Sequence, residues 1–503
     1  MSGNRRAFLE NTLAIAGAAA LTGCKSTPPE PTVPTPEPEP APSKPEETNT
    51  LLDGLESENF ILHNPKPLAL ESLRHSIGMG AITATSRLFV RNNLPHPDPQ
   101  IISTAAQWTL QISGVQNPRR FTLSELKSFA YDNICAVLQC SGNGRAFFKH
   151  GPSGSQWATG AAGCVSWGGV KLSKVINACG GPKDNMKFIT GTGGEPIPEG
   201  VERDKVVVER SIPIEKGMKD CLIAWELNGE PIPLSHGGPL RLVVPGYFGC
   251  NQIKYVQEIA ATVEQSKAKI QQSGYRFRDI GQKGHPSQAS MWRMPVKSWI
   301  VSSLKSADGN IRFNGVAFSG ERGVQAVEYS LNGSDWTAAT FYGPDLGVHA
   351  WRCFQFELNQ VPDTIQTVFT RATDTAGDAQ PKHRAENERG YGNNSWLDHG
   401  YALKGIQKNE KTEASVAAIS PETQEAGRQL FVEGELPCGS CHSLSDAQAV
   451  AEIGPNLDML KPDSARVERA VTNGVGAMPS YTELLTQEEI KTLAEYVSAV
   501  TRK

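Results

Sequence analysis

The run Cys438-Gly439-Ser440-Cys441-His442 constrains the chain more than any other feature. Two thiols one helical turn apart, followed at once by an imidazole, form the attachment signature of a c-type haem. The thiols Cys438 and Cys441 add to the two vinyl groups, and His442 becomes an axial iron ligand. A segment with this signature folds around a porphyrin. The second ligand is expected downstream, in Gly476-Ala477-Met478-Pro479, with Met478 placed 36 residues after His442. His/Met ligation raises the haem potential and suits electron transfer. A structural zinc site would need two more Cys or His nearby, and neither type follows His442. Segments 422–433 and 487–500 read as amphipathic helices that pack across each other and enclose the haem, an all-α cytochrome arrangement.

At 503 residues the chain has room for about three domains. Its net charge of -4 gives no support for nucleic-acid binding. The apolar run 13–23 is too short to span a bilayer. It reads as an export signal, because Asn4-Arg5-Arg6-Ala7-Phe8-Leu9 is a twin-arginine pattern and Leu21-Thr22-Gly23-Cys24 resembles a lipobox. Cys24 is then the lipidated first residue of the mature chain; a plain signal peptide cut nearby is the other reading. The twin-arginine route carries folded proteins whose cofactor is loaded in the cytoplasm. A c-type haem is attached after export, so the signal hints at a second cofactor. Residues 25–58 begin as a Pro/Glu/Thr-rich stretch and form a stiff, solvated spacer.

Residues 59–290 mix helix and strand signals. Residues 108–112 alternate like a strand, Thr122 with Glu125 forms a capping box, and residues 172–179 place Leu172, Val175, Ile176 and Cys179 on one helix face. Residues 241–244 read as a buried strand ended by Pro245-Gly246. Residues 291–405 turn β-rich, with strands at 296–302, 326–331, 351–356 and 367–371 and a hairpin turn at Asn332-Gly333. That pattern suggests an immunoglobulin-like sandwich. Residues 406–420 are a polar linker, and 421–503 form the cytochrome domain.

Of ten cysteines, Cys24 goes to lipid and two to haem, leaving seven. An odd number leaves at least one unpaired within the chain. Cys140 stands out, in Leu138-Gln139-Cys140-Ser141-Gly142-Asn143-Gly144-Arg145, just after an apolar run. A thiolate in a Gly-rich turn with an arginine five residues on has the makings of a soft-metal ligand. Taken alone it is as compatible with a buried bystander thiol.

Five stretches together resemble the sulfite oxidase family of molybdenum enzymes. They are Leu88-Phe89-Val90-Arg91-Asn92-Asn93-Leu94-Pro95, Gln139-Cys140-Ser141-Gly142-Asn143, Trp167-Gly168-Gly169-Val170-Lys171-Leu172, the run from His236 to Gly246, and the run from Asn387 to Trp396. The resemblance covers about residues 60–403 and implies a multidomain protein. An α+β molybdopterin domain is followed by an immunoglobulin-like dimerisation domain and then the all-α cytochrome domain. It implies that Cys140 coordinates molybdenum held by one molybdopterin. Asn92, His236, Arg241 and Lys254 are then the residues that hold the pterin and its phosphate, and Arg91, Arg145 and Arg389 line an oxyanion pocket. Trp157 and Tyr275 supply an aromatic wall and a phenol near the metal. Three guanidinium groups on one small cavity repel each other unless an anion sits among them, which suits sulfite. Asn93 departs from the family, many of whose members have histidine there; asparagine does not titrate.

The resulting expectation is a sulfite dehydrogenase that oxidises sulfite, or a related small sulfur oxyanion, at molybdenum. Its electrons leave singly through its own haem to an external carrier such as a cytochrome c. The protein is expected to be exported, to sit on the periplasmic side tethered only by lipid at Cys24, and to be able to form homodimers. The alternatives are a sulfane-sulfur dehydrogenase or a sulfoxide enzyme on the same scaffold, and a non-catalytic haem lipoprotein.

Overall fold

The computed structural model describes residues 55–403, apart from 56, 66, 78–79, 360 and 362–364, and residues 419–501, apart from 435–436, 452–456, 461, 463 and 474–479. The export signal, Cys24, nearly all of the spacer, most of the linker and Met478 therefore lie outside the described residues. Among the described residues no helix is long and apolar enough to cross a membrane.

Two five-stranded sheets build the first domain. One runs in the order Glu230–Pro231, Leu222–Leu227, Ala162–Lys171, Asp132–Gln139, with Arg241–Val243 also paired to Leu222–Leu227. The other runs Arg119–Thr122, Thr109–Ser113, Val256–Thr262, Phe188–Gly193, Glu209–Pro213. In the second sheet Thr109–Ser113 and Val256–Thr262 pair in parallel, so distant segments meet side by side. Ile112, Phe121, Ile223, Leu242, Ile253 and Ile259 share one core, onto which helix Leu172–Ala178 presents Leu172, Val175 and Ile176. The expected capping box is present: Thr122 Oγ1 accepts from Glu125 N at 3.2 Å, and Glu125 Oε2 accepts from Thr122 N at 2.8 Å. Such a cap contributes about 1 kcal/mol.

The second domain is a sandwich of two four-stranded sheets. The first has the order Val296–Lys305, Ile311–Ser319, Arg352–Leu358, Thr340–Tyr342, and the second the order Thr337–Ala338, Val324–Ser330, Thr367–Asp374, Tyr401–Ala402. Phe356 stacks on Tyr329 at 4.0 Å and on Phe313 at 5.0 Å between them. The strand expected at 296–302 is present, and residues 296–301 are all buried. Val296 and Ile300 face the sandwich interior, whereas Trp299 and Val301 pack with Val137, Phe248 and Met294 of the neighbouring core. A strand covered on both faces has no solvent side on which to alternate. The loop after Ser330 is also longer than a two-residue hairpin, because pairing resumes only at Thr337; within it Asn332 Oδ1 accepts from Ser334 N and Asp335 N at 2.9 Å each.

In the cytochrome domain, helices Pro421–Val432 and Gln487–Val500 cross with Phe431 and Tyr496 in contact. Both begin at side-chain caps, Ser420 and Thr486. Gly427 permits the crossing: a Cβ there would come within 2.2 Å of the Tyr496 Cβ. A short ladder, Ser443–Leu444 with Ala449–Val450, supplements the helices.

Candidate functional site

Strand Asp132–Gln139 ends at Cys140, and the turn beyond it is held on both sides. Cys140 N donates to Ala161 O at 2.9 Å and Cys140 O accepts from Asn143 N at 3.0 Å. Asn143 then bridges the two strands, its Nδ2 donating to Gln139 Oε1 at 3.1 Å and its Oδ1 accepting from Ala161 N at 3.2 Å. Cys140 is 8% exposed and lines a pocket with a cavity volume of ≈ 60 Å³. The lining brings together Arg91, Asn92, Cys140, His236, Arg241, Lys254 and Tyr275.

His236, Arg241 and Lys254 form one side of the pocket. Arg241 Nη1 donates to His236 O at 2.6 Å, and its guanidinium lies 4.9 Å from the Trp167 ring. Lys254 Nζ donates to Asn92 Oδ1 at 2.7 Å and to Ser235 O at 2.5 Å. Gly237 adopts φ +98, and a Cβ there would strike the Lys254 side chain at 2.6 Å, so the His-Gly-Gly sequence makes room for the lysine. Burial, reinforced by Lys254 and Arg241, pushes the His236 imidazole well below its ordinary range, so it is neutral. Burial lowers Arg241 to about 10, which leaves it charged at neutral pH.

Three residues of this wall hold buried atoms with no hydrogen-bond partner among the described residues: His236 Nε2, Arg241 Nε and both amide atoms of Gln252. Unmet buried polar atoms cost about 1–3 kcal/mol each. A wall of this kind is made for a polar, anionic group, and a phosphorylated pterin fits its donor set, with the Cys140 sulfur offered to its metal.

The other side belongs to Arg91 and Tyr275. Both donate to Asn93 Oδ1, Arg91 through Nη2 at 3.1 Å and Tyr275 through its hydroxyl at 3.2 Å. Tyr275 has φ +47, a backbone conformation rare for a bulky side chain. It stacks on Tyr391 at 5.4 Å. Burial raises its phenol above the ordinary tyrosine range, opposed by the Arg91 charge.

Arg145, Arg389 and Trp157 do not line the pocket. Of the three expected guanidinium groups, Arg91 is on the wall, and the other two stand around Tyr391, at 5.3 Å for Arg145 and 5.9 Å for Arg389. The reason is local bonding. Arg145 is buried, its Nε donating to Arg389 O at 2.8 Å and its Nη1 to Ser155 O at 2.9 Å. Trp157 is fully buried between His63, at 4.6 Å, and Phe89, at 6.4 Å; Phe89 is the ring that reaches the pocket.

Glu195, Cys250 and Gln252 also line the pocket and were not legible as site residues. Burial pushes the Glu195 carboxyl up to about 7, against the pull of Lys254. Gln252 lies two residues before Lys254, a spacing that offered a hint; Glu195 follows strand Phe188–Gly193 with no local signature.

In the cytochrome domain, Cys438–Ser440 is one tight turn, and His442 N donates to Cys438 O at 2.9 Å. Cys438 is buried beside Phe431, Leu444 and Tyr481, while Cys441 is partly exposed. Burial raises the Cys438 thiol to about 11. Two thiols on one turn above an apolar bed suit a covalently held porphyrin. Met478 lies outside the described residues, so the second ligand is not placed. All the described cysteines are free thiols.

Comparison with known proteins finds three matching domains. Residues 95–270 match the oxidoreductase molybdopterin binding domain, residues 288–401 the Mo-co oxidoreductase dimerisation domain, and residues 422–497 the cytochrome C oxidase, cbb3-type, subunit III family. The chain thus carries a molybdopterin-binding oxidoreductase domain, its dimerisation domain and a c-type cytochrome domain, and it is similar to sulfite oxidases. Its molybdopterin domain carries molybdenum-molybdopterin, and its cytochrome domain carries a c-type haem. The sulfite oxidase of Arabidopsis thaliana is 27% identical over 362 residues, covering 66% of this chain and 91% of that protein. Mitochondrial sulfite oxidase of Mus musculus is 28% identical over 361 residues, covering 67% of this chain and 64% of that protein. The sulfane dehydrogenase SoxCD from Paracoccus pantotrophus superposes with a TM-score of 0.58 at 25% identity, covering 72% of this chain and 95% of that one.

Proposed function

We propose that the chain is a sulfite dehydrogenase that passes electrons through its own haem to an external carrier. Sulfite and water become sulfate, two protons and two electrons. The observation that carries the reading is that the Cys140 sulfur and the Arg91 guanidinium line one pocket. When bound, the molybdenum-molybdopterin group supplies two-electron oxygen-atom chemistry, and the haem accepts electrons one at a time. Cys140 holds the metal. His236, Arg241 and Lys254 hold the pterin phosphate, with Asn92 keeping Lys254 in place. Arg91 neutralises the oxyanion and orients it, Tyr275 closes the polar wall beside it, and Arg145 and Arg389 fix the Tyr391 ring against which Tyr275 stacks. His442 and Met478 ligate the haem iron.

Anaerobic mixing of the loaded protein with sulfite tests this through the haem α-band. Rapid reduction that Cys140→Ser abolishes is the expected result; haem that stays oxidised in fully metallated protein rejects sulfite as donor. The likeness to SoxCD favours a second reading, oxidation of sulfane sulfur. Under that reading sulfite leaves the haem oxidised and a sulfane-bearing carrier reduces it. A non-catalytic haem protein would hold iron without molybdenum. The chain is exported by the twin-arginine route and tethered on the periplasmic side through Cys24, so Cys24→Ser should release it from membranes. The match to a dimerisation domain supports a homodimer.

A further inference from the structure

The two asparagines after Arg91 divide the pocket between its tasks. Asn92 Oδ1 accepts from Lys254 Nζ at 2.7 Å, on the cofactor side. Asn93 serves the opposite side, where its Oδ1 takes Arg91 Nη2 at 3.1 Å and the Tyr275 hydroxyl at 3.2 Å. One amide oxygen is thus the common acceptor of a cation and a phenol.

We propose that Asn93 is a positioning residue that fixes the directions in which Arg91 and Tyr275 face a bound tetrahedral oxyanion, and thereby sets the pocket's affinity for it. The inference rests on the oxyanion reading above and goes beyond it by assigning that affinity to an uncharged side chain that acts through its neighbours.

Three features of the residue type suit the task. An amide oxygen has two lone pairs and can receive both donors at once. A neutral imidazole has one acceptor nitrogen and could serve only one of them; a protonated one could serve neither. A carboxylate could receive both, but its charge would oppose the anion that Arg91 attracts. The partners are already constrained elsewhere. Tyr275 is held at φ +47 and stacked at 5.4 Å on Tyr391, with the Arg210 guanidinium 5.6 Å from its ring. What stays free is the direction of its hydroxyl and of the Arg91 fork, and Asn93 settles both. Groups held in their bound geometry beforehand bind with less loss of freedom.

Sulfate is the probe, because it is an oxyanion that this chemistry does not oxidise further. Its binding is measured calorimetrically on the oxidised full chain, loaded with molybdenum and haem, at fixed ionic strength. Asn93→Ala is expected to bind sulfate about tenfold more weakly, as for loss of a hydrogen bond to a charged group. The thermal midpoint and molybdenum-to-iron ratio stay at parental values, and KM for sulfite rises with kcat nearly unchanged. Asn93→Asp, near-isosteric and able to keep both contacts, is expected to bind sulfate more weakly still, and it carries the test if the smaller side chain prevents folding. Parental sulfate affinity in both variants overturns the proposal. So does a loss matched by a fall in thermal midpoint or metal content, or a parent chain that binds no sulfate. Sulfate affinities in the expected order, together with haem that sulfite fails to reduce, would instead reject sulfite as substrate and leave the role of Asn93 standing.

Discussion

The Lys254 ammonium donates to Asn92 Oδ1 at 2.7 Å, joining a lysine in the turn before strand Val256–Thr262 to the residue next to Arg91. The two lie 162 positions apart in the chain. This bond ties the Lys254 side of the pocket to the chain segment that carries Arg91.

Lys254→Met removes the ammonium and leaves Asn92 Oδ1 without that donor. A hydrogen bond to a charged group is worth about 1.5–3 kcal/mol, so the cofactor should be held roughly 10- to 100-fold more weakly. Metal analysis checks this, with haem iron as internal reference: molybdenum per iron should fall while iron per chain holds.

Arg145→Lys should lower kcat/KM on the order of 10- to 100-fold per loaded molybdenum. The guanidinium binds two carbonyls at once, those of Arg389 and Ser155, at 2.8 and 2.9 Å. A lysine has one ammonium and cannot hold both in that geometry. The measurement is steady-state turnover normalised to metal content, and activity equal to the parent would show that the fork is dispensable.

Lys297 is buried, its ammonium 5.5 Å from the Trp299 ring and without a hydrogen-bond partner among the described residues. Burial lowers it to about 7, with Asp398 opposing. Between about pH 7 and the ordinary lysine value, the unfolded chain binds a proton that the folded chain lacks, so stability rises with pH across that window. As pH falls through about 7 the folded chain must accept the buried charge, and that stability is lost. Lys297→Met should therefore stabilise by about 1–4 kcal/mol at pH 6, with a gain that shrinks toward pH 9. Thermal unfolding at the two pH values reads the difference, and a gain independent of pH would contradict it.

Gly427→Ala should destabilise the cytochrome domain by about 1–3 kcal/mol, because its methyl group meets the Tyr496 Cβ at 2.2 Å and the helices must separate. Haem absorbance followed during unfolding reports the loss, while the catalytic domain's transition stays at its parental temperature.

Features that depend on short spacing were legible in advance. The haem turn needs only Cys438, Cys441 and His442 in sequence, and the capping box needs only Thr122 and Glu125 three residues apart; both are present. The crossing of helices Pro421–Val432 and Gln487–Val500 follows from their apolar stripes. The strand at 296–302 was legible and is present, but its burial on both faces, over residues 296–301, follows only from the core packed on each side. Glu195 and Cys250 carried no signal as pocket residues, since neither segment pairs with the strand before Cys140: Glu195 follows a strand of the other sheet, and Cys250 sits in a short turn packed on Gln139.

The amino-acid order alone determined which chemical groups the chain owns and which helices, caps and turns form near them. Those depend on interactions within a few residues. The tertiary structure decided which arginine faces the pocket and that Asn93 is shared by Arg91 and Tyr275. A side chain's direction follows from what packs behind it, and for Tyr275 that contact comes from 182 positions away.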